Sequence, residues 1–396
     1  MKFKLGDIST IKGGKRLPKG EKLQEIRNNH PYLRIVDFDG FDFNKRNLQY
    51  VPNNVFEKIQ KYTISKDDIF LSIVGTIGIV ALIGDELDRA SLTENAVKIT
   101  VSNQVNKNYL YYFLQSQLGQ EQINSLSVGS TQKKLPIKNI KKIEIDLPSL
   151  AVQKGIAHKL RILDEKIKLN RKINDNLLKQ LKLSFNNLYL SLTDDKTFTL
   201  GELIFENISG DWGKAQSQGD FTNRVTIIRG ADIDDLALGN SAKTPIRYIK
   251  NRALVNKHLL PNDVLVEISG GSPTQSTGRS LLVSDSVIDK FSSEVLGTNF
   301  TRIFRPSSEE NSILFKSYLD FLYDKDVFFN YENGTTGIKN LDYKSVLKIQ
   351  LPDIRKANNY QQYINLYKLY NNTVQSNGRQ SVQLTKIRQA MLNNFF

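Results

Sequence analysis

Two long stretches of the chain place a stripe of residues at helical spacing. From Leu150 to Leu190 the residues are good helix formers without proline, and the stripe recurs at alternating intervals of four and three. A second such stretch runs from about Tyr360 to Phe396. Both predict heptad seams, along which one helix packs against another. The predicted seam residues are Ile156, Leu160, Leu163, Ile167, Asn170, Asn174, Leu177 and Leu181 in the first helix, and Ile364, Val374, Leu384 and Met391 in the second.

Both seams are polar near the middle, where the first carries Asn170 and Asn174. Buried asparagines in a seam cost stability but fix register and orientation. Two seams with polar centres match when the helices run antiparallel, so we predict that the two long helices pair in this way. About 40 helical residues span roughly 60 Å, which would hold two domains apart at a fixed distance. The alternative is that each helix only covers its own domain.

Shorter apolar runs predict strands. The most apolar of them, from Ile69 to Gly84, is rich in β-branched residues and has central glycines, which predicts a strand, a turn and a strand. The run is too short to span a bilayer, which takes roughly 20 residues. The first residues contain no apolar segment of signal-peptide length. We therefore expect a cytoplasmic protein with no membrane partner.

The chain repeats itself once. Three pairs of segments share an offset of 195 residues, and later pairs drift from it by small insertions, as loops allow. The fold class predicted is α+β, with two pseudo-repeated mixed α/β domains separated by two long antiparallel coiled-coil helices. The predicted boundaries are 1–148 for the first domain, 149–192 for the first helix, 193–352 for the second domain and 353–396 for the second helix. The pairs that share the offset are Phe3–Ile8 with Phe198–Leu203, Leu33–Asp39 with Ile228–Asp234, and Asp68–Leu71 with Asp263–Val266.

The composition is strongly basic. Lysine and arginine number 55 against 41 acidic residues, which gives a net charge of +14. A basic surface attracts polyanions, of which nucleic acid is the commonest large one, although basicity for solubility alone is the alternative. The chain has no cysteine, which excludes disulfides, thiolate zinc sites, iron–sulfur ligation and cysteine nucleophiles. Its three histidines lie far apart without ligand spacing, so no metal site is predicted.

Catalytic motifs are missing from the sequence. No Pro-Pro occurs, so the Asn/Asp-Pro-Pro-aromatic motif of adenine methyltransferases is absent. The stretch Gly210–Ala215 has the wrong spacing for a phosphate-binding loop and ends in alanine. Asp263 and Glu267 approach a nuclease pattern, but Ser269 stands where its lysine belongs. These absences favour a binding protein that is not itself an enzyme.

Basic, small and hydroxyl residues gather in three predicted loops: 12–19, 75–78 with its repeat 270–279, and 128–134 with its repeat 333–339. Glycines let a backbone approach phosphates, cations neutralise them, and hydroxyl or amide groups reach phosphates or base edges. The alternative is that these loops are simply turns. The candidate DNA-contacting residues are Lys12, Lys15, Arg16, Lys19, Arg34, Thr76, Ser130, Thr131, Gln132, Lys133, Lys134, Lys214, Arg229, Ser272, Thr274, Gln275, Arg279, Thr335, Thr336 and Lys339.

Two of these candidates, Arg34 and Arg229, occupy equivalent positions in the repeat. An arginine can read guanine through two parallel hydrogen bonds. It can equally hold a phosphate, or a neighbouring aspartate such as Asp37 or Asp232. The sequence leaves all three interpretations open.

One segment carries a family resemblance. Gly129–Pro136, then Ile143–Ile156 and the long helix, resemble the specificity subunits of type I restriction-modification systems. Their pattern is Gly-Ser-Thr-Gln, a short strand, Leu/Ile-Pro-x-Leu-x-Glu-Gln-x-x-Ile and a helix. The openings Leu5-Gly6-Asp7 and Leu200-Gly201-Glu202 also fit. The chain departs from the pattern at Val152, where the family usually has glutamate, and at Leu351–Lys356, which precedes a short insertion.

The resemblance implies a function and a set of partners. Two target recognition domains would each read one part of a split, asymmetric sequence in double-stranded DNA, and the paired helices would separate them and carry two methyltransferase subunits. Two restriction–translocation subunits would complete the complex. S-adenosylmethionine, ATP and Mg²⁺ would bind the partner subunits and not this chain, and the methylated adenine would be flipped into the partner's pocket. Two alternatives are a stand-alone sequence-specific DNA-binding regulator, and a nuclease or methyltransferase with unrecognised catalytic residues.

Overall fold

The protein forms two compact units that share the two long helices. A computed structural model describes residues 1–43, 48–130, 133–192, 197–272, 274–334 and 338–396. The first unit comprises Met1–Glu165 with Thr385–Phe396, and the second unit comprises Lys166–Leu384. The first long helix is Leu150–Leu190 and the second is Tyr360–Phe395, so each contributes residues to both units. Among the described residues, no helix combines the length and apolar character that a membrane crossing requires.

Two four-stranded sheets and a two-stranded ladder form the frame of the first unit. The predicted strand, turn and strand is confirmed, because Ile69–Ser72 pairs antiparallel with Val80–Leu82. The first sheet has the order Ser9–Gly13, Ala96–Val101, Ile69–Ser72, Val80–Leu82. The second has the order Gln49–Tyr50, Pro31–Leu33, Ala90–Leu92, Thr63–Ile64, in which the middle pair is parallel. The ladder joins Lys2–Lys4 to Glu144–Asp146.

Two helices begin at side-chain caps in the first unit. The Asn106 side chain accepts the backbone N–H of Tyr109, and the Ser116 hydroxyl accepts that of Gly119, which satisfies amides that lack a partner within the helix. The apolar faces of these helices pack into the core below the first sheet. The helices are Lys107–Gln115 and Gln117–Ser125, and shorter ones span Leu5–Ile8, Asn53–Ile59 and Ile137–Ile140, with 3-10 turns at Ile35–Asp37, Gln60–Tyr62 and Asp85–Leu87.

The second unit repeats this topology, so the predicted duplication is confirmed. Its first sheet has the order Ile204–Ser209, Thr301–Pro306, Val264–Glu267, Ser280–Leu282. Its second has the order Ile246–Lys250, Phe221–Ile228, Val295–Gly297, again with a parallel pair. The ladder joins Thr197–Thr199 to Gln350–Pro352. A small third sheet contains Ser269–Gly270, Lys339–Leu341 and Glu332–Asn333, and the remaining helices and 3-10 turns are Leu200–Leu203, Gly230–Asp232, Ile233–Ala237, Asn251–Lys257, Asp285–Ile288, Glu309–Asp324, Val327–Tyr331, Tyr343–Val346 and Ile354–Lys356.

The two long helices run antiparallel, as their seams predict. In the second unit, Asn170 Nδ2 donates to Ser381 Oγ at 3.2 Å, and Asn377 Nδ2 donates to Asn174 Oδ1 at 2.9 Å. A step of four residues towards the C-terminus of the first helix thus corresponds to a step of four residues towards the N-terminus of the second helix. The seam residues are buried at Leu160, Ile167, Asn170, Asn174, Leu181, Ile364 and Val374, and half-buried at Ile156, Leu163, Leu177, Leu384 and Met391.

The long helices also complete the core of each unit. Leu160 and Leu392 are fully buried in the core of the first unit. Leu181 and Phe185 are buried in the core of the second unit, where the Phe185 ring meets Tyr318 edge to face at 5.0 Å. The helices therefore pair with each other as predicted and also cover the domains, so the alternative that each helix only covers its own domain is wrong.

Candidate nucleic-acid interface

Three loops predicted from the sequence meet at one end of the first sheet in the first unit. The Leu135 N–H donates to the Ile73 carbonyl at 2.9 Å, and the Ile73 N–H donates to the Asn95 carbonyl at 2.8 Å. The Lys15 N–H donates to the Leu92 carbonyl at 2.9 Å. We call this group the first loop cluster: residues 12–19, 73–78, 93–95, 128–130 and 133–134.

The second unit builds the same arrangement. The Leu341 N–H donates to the Ile268 carbonyl at 2.9 Å, and the Ile268 N–H donates to the Phe300 carbonyl at 2.9 Å. The Asp211 N–H donates to the Gly297 carbonyl at 2.9 Å. We call this group the second loop cluster: residues 210–214, 268–272, 274–279, 298–300, 332–334 and 338–340.

The two clusters share a backbone frame that depends on a glycine and a threonine. A Cβ atom on Gly14 would lie 2.1 Å from the Thr93 carbonyl oxygen, and one on Gly210 would lie 1.9 Å from the Thr298 carbonyl oxygen. Glycine is therefore the residue that fits this close approach. The Thr93 hydroxyl accepts the N–H of Asn95, and the Thr298 hydroxyl accepts that of Phe300. The frame is thus common to both units.

The side chains on this frame differ between the units. In the repeat, Arg16 is equivalent to Trp212, Glu94 to Asn299 and Asn95 to Phe300. In the first cluster, Arg16 Nε donates to Glu94 Oε1 at 2.7 Å while the arginine side chain stays 80% exposed. In the second cluster, Trp212 and Phe300 are 38% and 49% exposed. Equivalent backbones therefore present different chemistry to a ligand.

A groove of about 560 Å³ opens beside Arg16 in the first unit. The Tyr32 hydroxyl in its wall donates to Glu94 Oε2 at 3.2 Å. Burial raises the pKa of Tyr32 to about 12, so its hydroxyl stays protonated at neutral pH. Burial also opposes ionisation of Glu94, but hydrogen bonds from Arg16 and Tyr32 bring the pKa of that carboxyl below its usual value. The groove therefore contains the ion pair of Arg16 and Glu94, in which the Arg16 side chain is open to solvent.

Arg34 and Arg229 each bind the neighbouring aspartate, which is one of the three roles that the sequence leaves open. Arg34 Nη2 lies 2.7 Å from Asp37 Oδ1, and Arg229 Nη2 lies 2.8 Å from Asp232 Oδ1. In each case Nε binds the second carboxylate oxygen, which makes a fork of two charge-assisted hydrogen bonds. The aspartates are buried, so the arginines neutralise carboxylates that hold a turn. Base reading by these two residues stays a prediction.

Two further cationic candidates are also paired with acids. Arg279 Nη2 lies 2.8 Å from Glu267 Oε1, and Arg279 Nη1 lies 2.9 Å from Asp234 Oδ2. Lys339 Nζ lies 2.8 Å from Glu332 Oε2. Their charge is therefore largely compensated within the second unit, and a DNA contact by either would have to compete with a carboxylate.

The remaining candidates lie mostly at the exposed rim of the two clusters. Gln275 Nε2 donates to the Tyr323 hydroxyl at 3.2 Å, and Lys15 Nζ lies 5.6 Å from the centre of the Tyr62 ring. Thr131, Gln132, Thr335 and Thr336 lie outside the described residues, so their contribution stays a prediction. The exposed candidates are Lys12, Lys15, Arg16, Lys19, Thr76, Ser130, Lys133, Lys134, Lys214, Thr274 and Gln275, and Ser272 is half-buried.

The acidic residues that approach a nuclease pattern are held by arginines. Arg305 Nε lies 2.8 Å from Asp263 Oδ1, and Glu267 binds Arg279. Both carboxylates are nearly fully buried, which fits a structural role. In the part of the chain that the structure describes, no group of three or more histidine, aspartate or glutamate residues is placed to hold a metal ion.

Sequence reasoning missed the loops that connect the candidates. Thr93–Asn95 and Thr298–Phe300 form the centre of each cluster, yet neither is basic or glycine-rich. Their signal is the repeat itself, since the offset of 205 residues that relates Gly129 to Gly334 also relates Thr93 to Thr298. Trp212 lies in the same segment as the candidate Lys214, but it is neither basic, small nor hydroxyl-bearing, so the criteria applied to the sequence do not select it.

Fold and site together define a duplicated protein in which each of two mixed α/β units carries a loop cluster, and in which two long antiparallel helices contribute residues to both units. Residues 1–179 match the model of the family described as the type I restriction modification DNA specificity domain. The resemblance of the chain to type I specificity subunits is thereby confirmed.

Individual relatives agree with this assignment. The specificity subunit of the type I restriction enzyme StySPI from Salmonella potsdam is 25% identical over 69% of this chain. The putative type I specificity subunit S.MgeORF438P from Mycoplasma genitalium is 28% identical over 49% of this chain. The matched regions span 61% and 54% of those two proteins, which is less than two thirds of their length. The crystal structure of the S subunit of a type I restriction-modification system from M. genitalium matches with a TM-score of 0.57 at 18% identity, covering 100% of this chain and 96% of that one, and shows the same fold.

Proposed function

We propose that this chain is the DNA specificity subunit of a type I restriction-modification complex, in which each loop cluster reads one half of a bipartite, asymmetric target. One observation carries the proposal: the same backbone frame occurs twice with different side chains on it. A shared frame suits the same kind of ligand in both units, since Gly14 and Gly210 make equivalent close approaches. Different side chains at matched positions suit two different base sequences.

The charge of the chain supports DNA as that ligand. The net charge of +14 attracts the phosphates of DNA irrespective of the base sequence. Lys12, Lys15 and Lys19 are exposed at the first loop cluster. Thr76 and Ser130 carry exposed hydroxyl groups in the same cluster, and a hydroxyl can contact phosphates or base edges. Since the proposed substrate is cellular DNA, we place the complex in the cytoplasm.

Catalysis in this proposal belongs to partner subunits. Two methyltransferase subunits with S-adenosylmethionine, and two restriction–translocation subunits with ATP and Mg²⁺, would act on the DNA that this chain selects. Exposed apolar residues on the long helices support a docking role, because such side chains gain from burial against a partner. Leu169, Leu183 and Leu369 are 51%, 60% and 61% exposed. The paired helices would also set the distance between the two readers.

Methylated-base sequencing of host DNA tests this function. The host carries this chain with the methyltransferase subunit encoded beside it, and the control host carries the methyltransferase alone. We expect a split, asymmetric motif with methyladenine in each half, present only with this chain. A soluble complex that produces no new motif would contradict the proposal, and sequence-selective binding by the purified chain alone would then favour a stand-alone regulator.

A further inference from the structure

A tryptophan and an arginine form a stacked pair at the edge of the second loop cluster. The Arg247 guanidinium carbon lies 4.0 Å from the centre of the Trp212 ring. Trp212 is 38% exposed and Arg247 is half-buried, so the pair borders solvent. Neither residue stood out in the sequence, because they are 35 positions apart and belong to different elements.

The backbone fixes this pair in place. Lys214 and Tyr248 exchange two backbone hydrogen bonds of 2.9 Å, which lay the tryptophan loop along the strand Ile246–Lys250. Gly213, which separates Trp212 from Lys214 in the sequence, has a φ of +59°, and a Cβ atom there would lie 2.4 Å from the Tyr248 carbonyl oxygen. The glycine therefore permits the close approach that sets Trp212 against Arg247.

The charge of Arg247 has no acidic partner among the described residues. Within the described part of the chain it forms no ion pair, and its Nε atom is buried without a hydrogen-bond acceptor. By contrast, Arg229, Arg279 and Arg305 each bind a carboxylate. A ring face compensates a cation only partly, and stacking restricts the side chain so that less freedom is lost when it binds. Arg247 is thus oriented in advance and still has donors to offer.

Further cations lie next to this pair. Lys214 Nζ and Lys250 Nζ lie 5.8 and 5.2 Å from the centre of the Phe221 ring, and both lysines are exposed. Lys250 also lies 3.2 Å from Asp220, but both side chains are exposed and such a pair contributes little. A backbone of phosphates passing the pair would therefore meet two available ammonium groups.

We propose that Arg247, held flat by Trp212, reads a guanine in the half of the target that the second unit recognises. The assignment rests on the proposed function. Guanine presents two acceptors, O6 and N7, in the major groove, and a planar guanidinium matches them with two parallel donors. In the first unit the position equivalent to Trp212 is Arg16, which pairs with Glu94, so the device is confined to one half of the target.

The test compares full-length chains assembled with their methyltransferase subunits, by methylated-base sequencing and by the rate of methylation of the wild-type target. In Arg247→Lys the charge is kept and the planar fork is lost. We expect one G·C pair in one half of the motif to become degenerate, with the other half and the gap unchanged. Methylation of the original site should slow by about 5- to 150-fold.

A matched control is Arg302→Lys. This arginine also lies over an aromatic ring, at 4.7 Å from the centre of Tyr343, but its Nε donates to Asn207 at 3.1 Å. We expect its motif and rate to equal those of the wild type. Trp212→Phe, which keeps a ring under the guanidinium, should give the same degenerate position as Arg247→Lys with a smaller loss of rate.

Each outcome separates the inference from the proposed function. An unchanged motif in Arg247→Lys overturns the inference, whether the rate is unchanged or falls equally at every site, since an equal fall indicates a phosphate contact. A wild-type chain that yields no motif overturns the proposed function itself. A degenerate position in Arg302→Lys as well would also overturn the inference, because the effect would then not be specific to the stacked pair.

Discussion

Arg388 and Asp164 form an ion pair inside the first unit, where their side chains are only 17% and 16% exposed. Arg388 Nε donates to Asp164 Oδ1 at 2.6 Å, and the Tyr112 hydroxyl donates to Asp164 Oδ2 at 2.9 Å. Burial raises the pKa of Asp164 above its usual value, against the opposing effect of the arginine. The pair therefore joins the second long helix to the first through a carboxylate that depends on its cation.

At the residue scale, we predict that Arg388→Ala lowers the free energy of unfolding by about 3–5 kcal/mol at pH 7, because it leaves a buried carboxylate without its cation. In this variant the pKa of Asp164 lies further above its unfolded value. The folded state then holds a proton that the unfolded state has lost, so stability falls as the pH rises through that interval. Urea unfolding of variant and wild type should give a smaller difference at pH 5 than at pH 7.

A suitable control for this measurement is Arg161→Ala. Arg161 lies 3.2 Å from Glu165 one turn along the same helix, but both side chains are more than half exposed. We expect a change within about 0.5 kcal/mol at either pH. Equal losses at pH 5 and pH 7 in Arg388→Ala would contradict the assigned protonation of Asp164.

At the scale of elements, the polar centre of the helix pair contains two asparagines with unequal partners. Asn174 Oδ1 accepts from Asn377 at 2.9 Å, whereas the buried Asn170 Oδ1 has no hydrogen-bond partner among the described residues. Asn170 Nδ2 still donates to Ser381 and Gln380. The register of the helix pair is thus fixed mainly at the level of Asn174 and Asn377, where one amide donates to the other.

We predict that Asn174→Leu costs about 1 kcal/mol in the free energy of unfolding, because the Asn377 amide loses its acceptor. Adding Asn377→Leu should recover most of this loss, since removing both partners leaves no amide without an acceptor. Asn170→Leu should cost less than Asn174→Leu, because its own oxygen already lacks a partner. Urea unfolding of the four chains checks this order, and a double variant weaker than Asn174→Leu alone would contradict it.

At the scale of the whole molecule, the proposed function makes the helix pair a spacer between two readers. The antiparallel pairing has a practical consequence, because Asn170 faces Ser381 and Asn174 faces Asn377. A change of length in one helix must be matched by the facing residues of the other, or the seam loses its register.

We therefore predict the effect of removing one heptad between Asp164 and Leu181 together with the seven facing residues of the second helix. Seven helical residues rise by about 10 Å, which corresponds to about three base pairs along DNA. The gap between the two halves of the methylated motif should shorten by about that amount, with both half-sites unchanged. Methylated-base sequencing measures the gap, and an unchanged gap in a soluble, active complex would rule out the spacer role.

The sequence by itself determined the duplication, the two long helices and their antiparallel pairing. These features follow from local periodicity and from similarity at a fixed offset, and both are properties of the amino-acid order. The polar centres of both seams, with Asn170 and Asn174 in the first, were enough to predict the helix orientation, because a buried amide needs a partner at the same level of the seam.

The tertiary structure alone decided which cations are available for DNA. The loop position of Arg279 indicates a DNA contact, but the fold places Glu267 and Asp234 around its guanidinium. Arg247 lacks any signal in the sequence, yet the fold stacks it on Trp212 and gives it no carboxylate partner among the residues that the structure describes. The free charge of a side chain depends on groups brought near from distant parts of the chain, and this proximity is created only when the sheets and loops assemble.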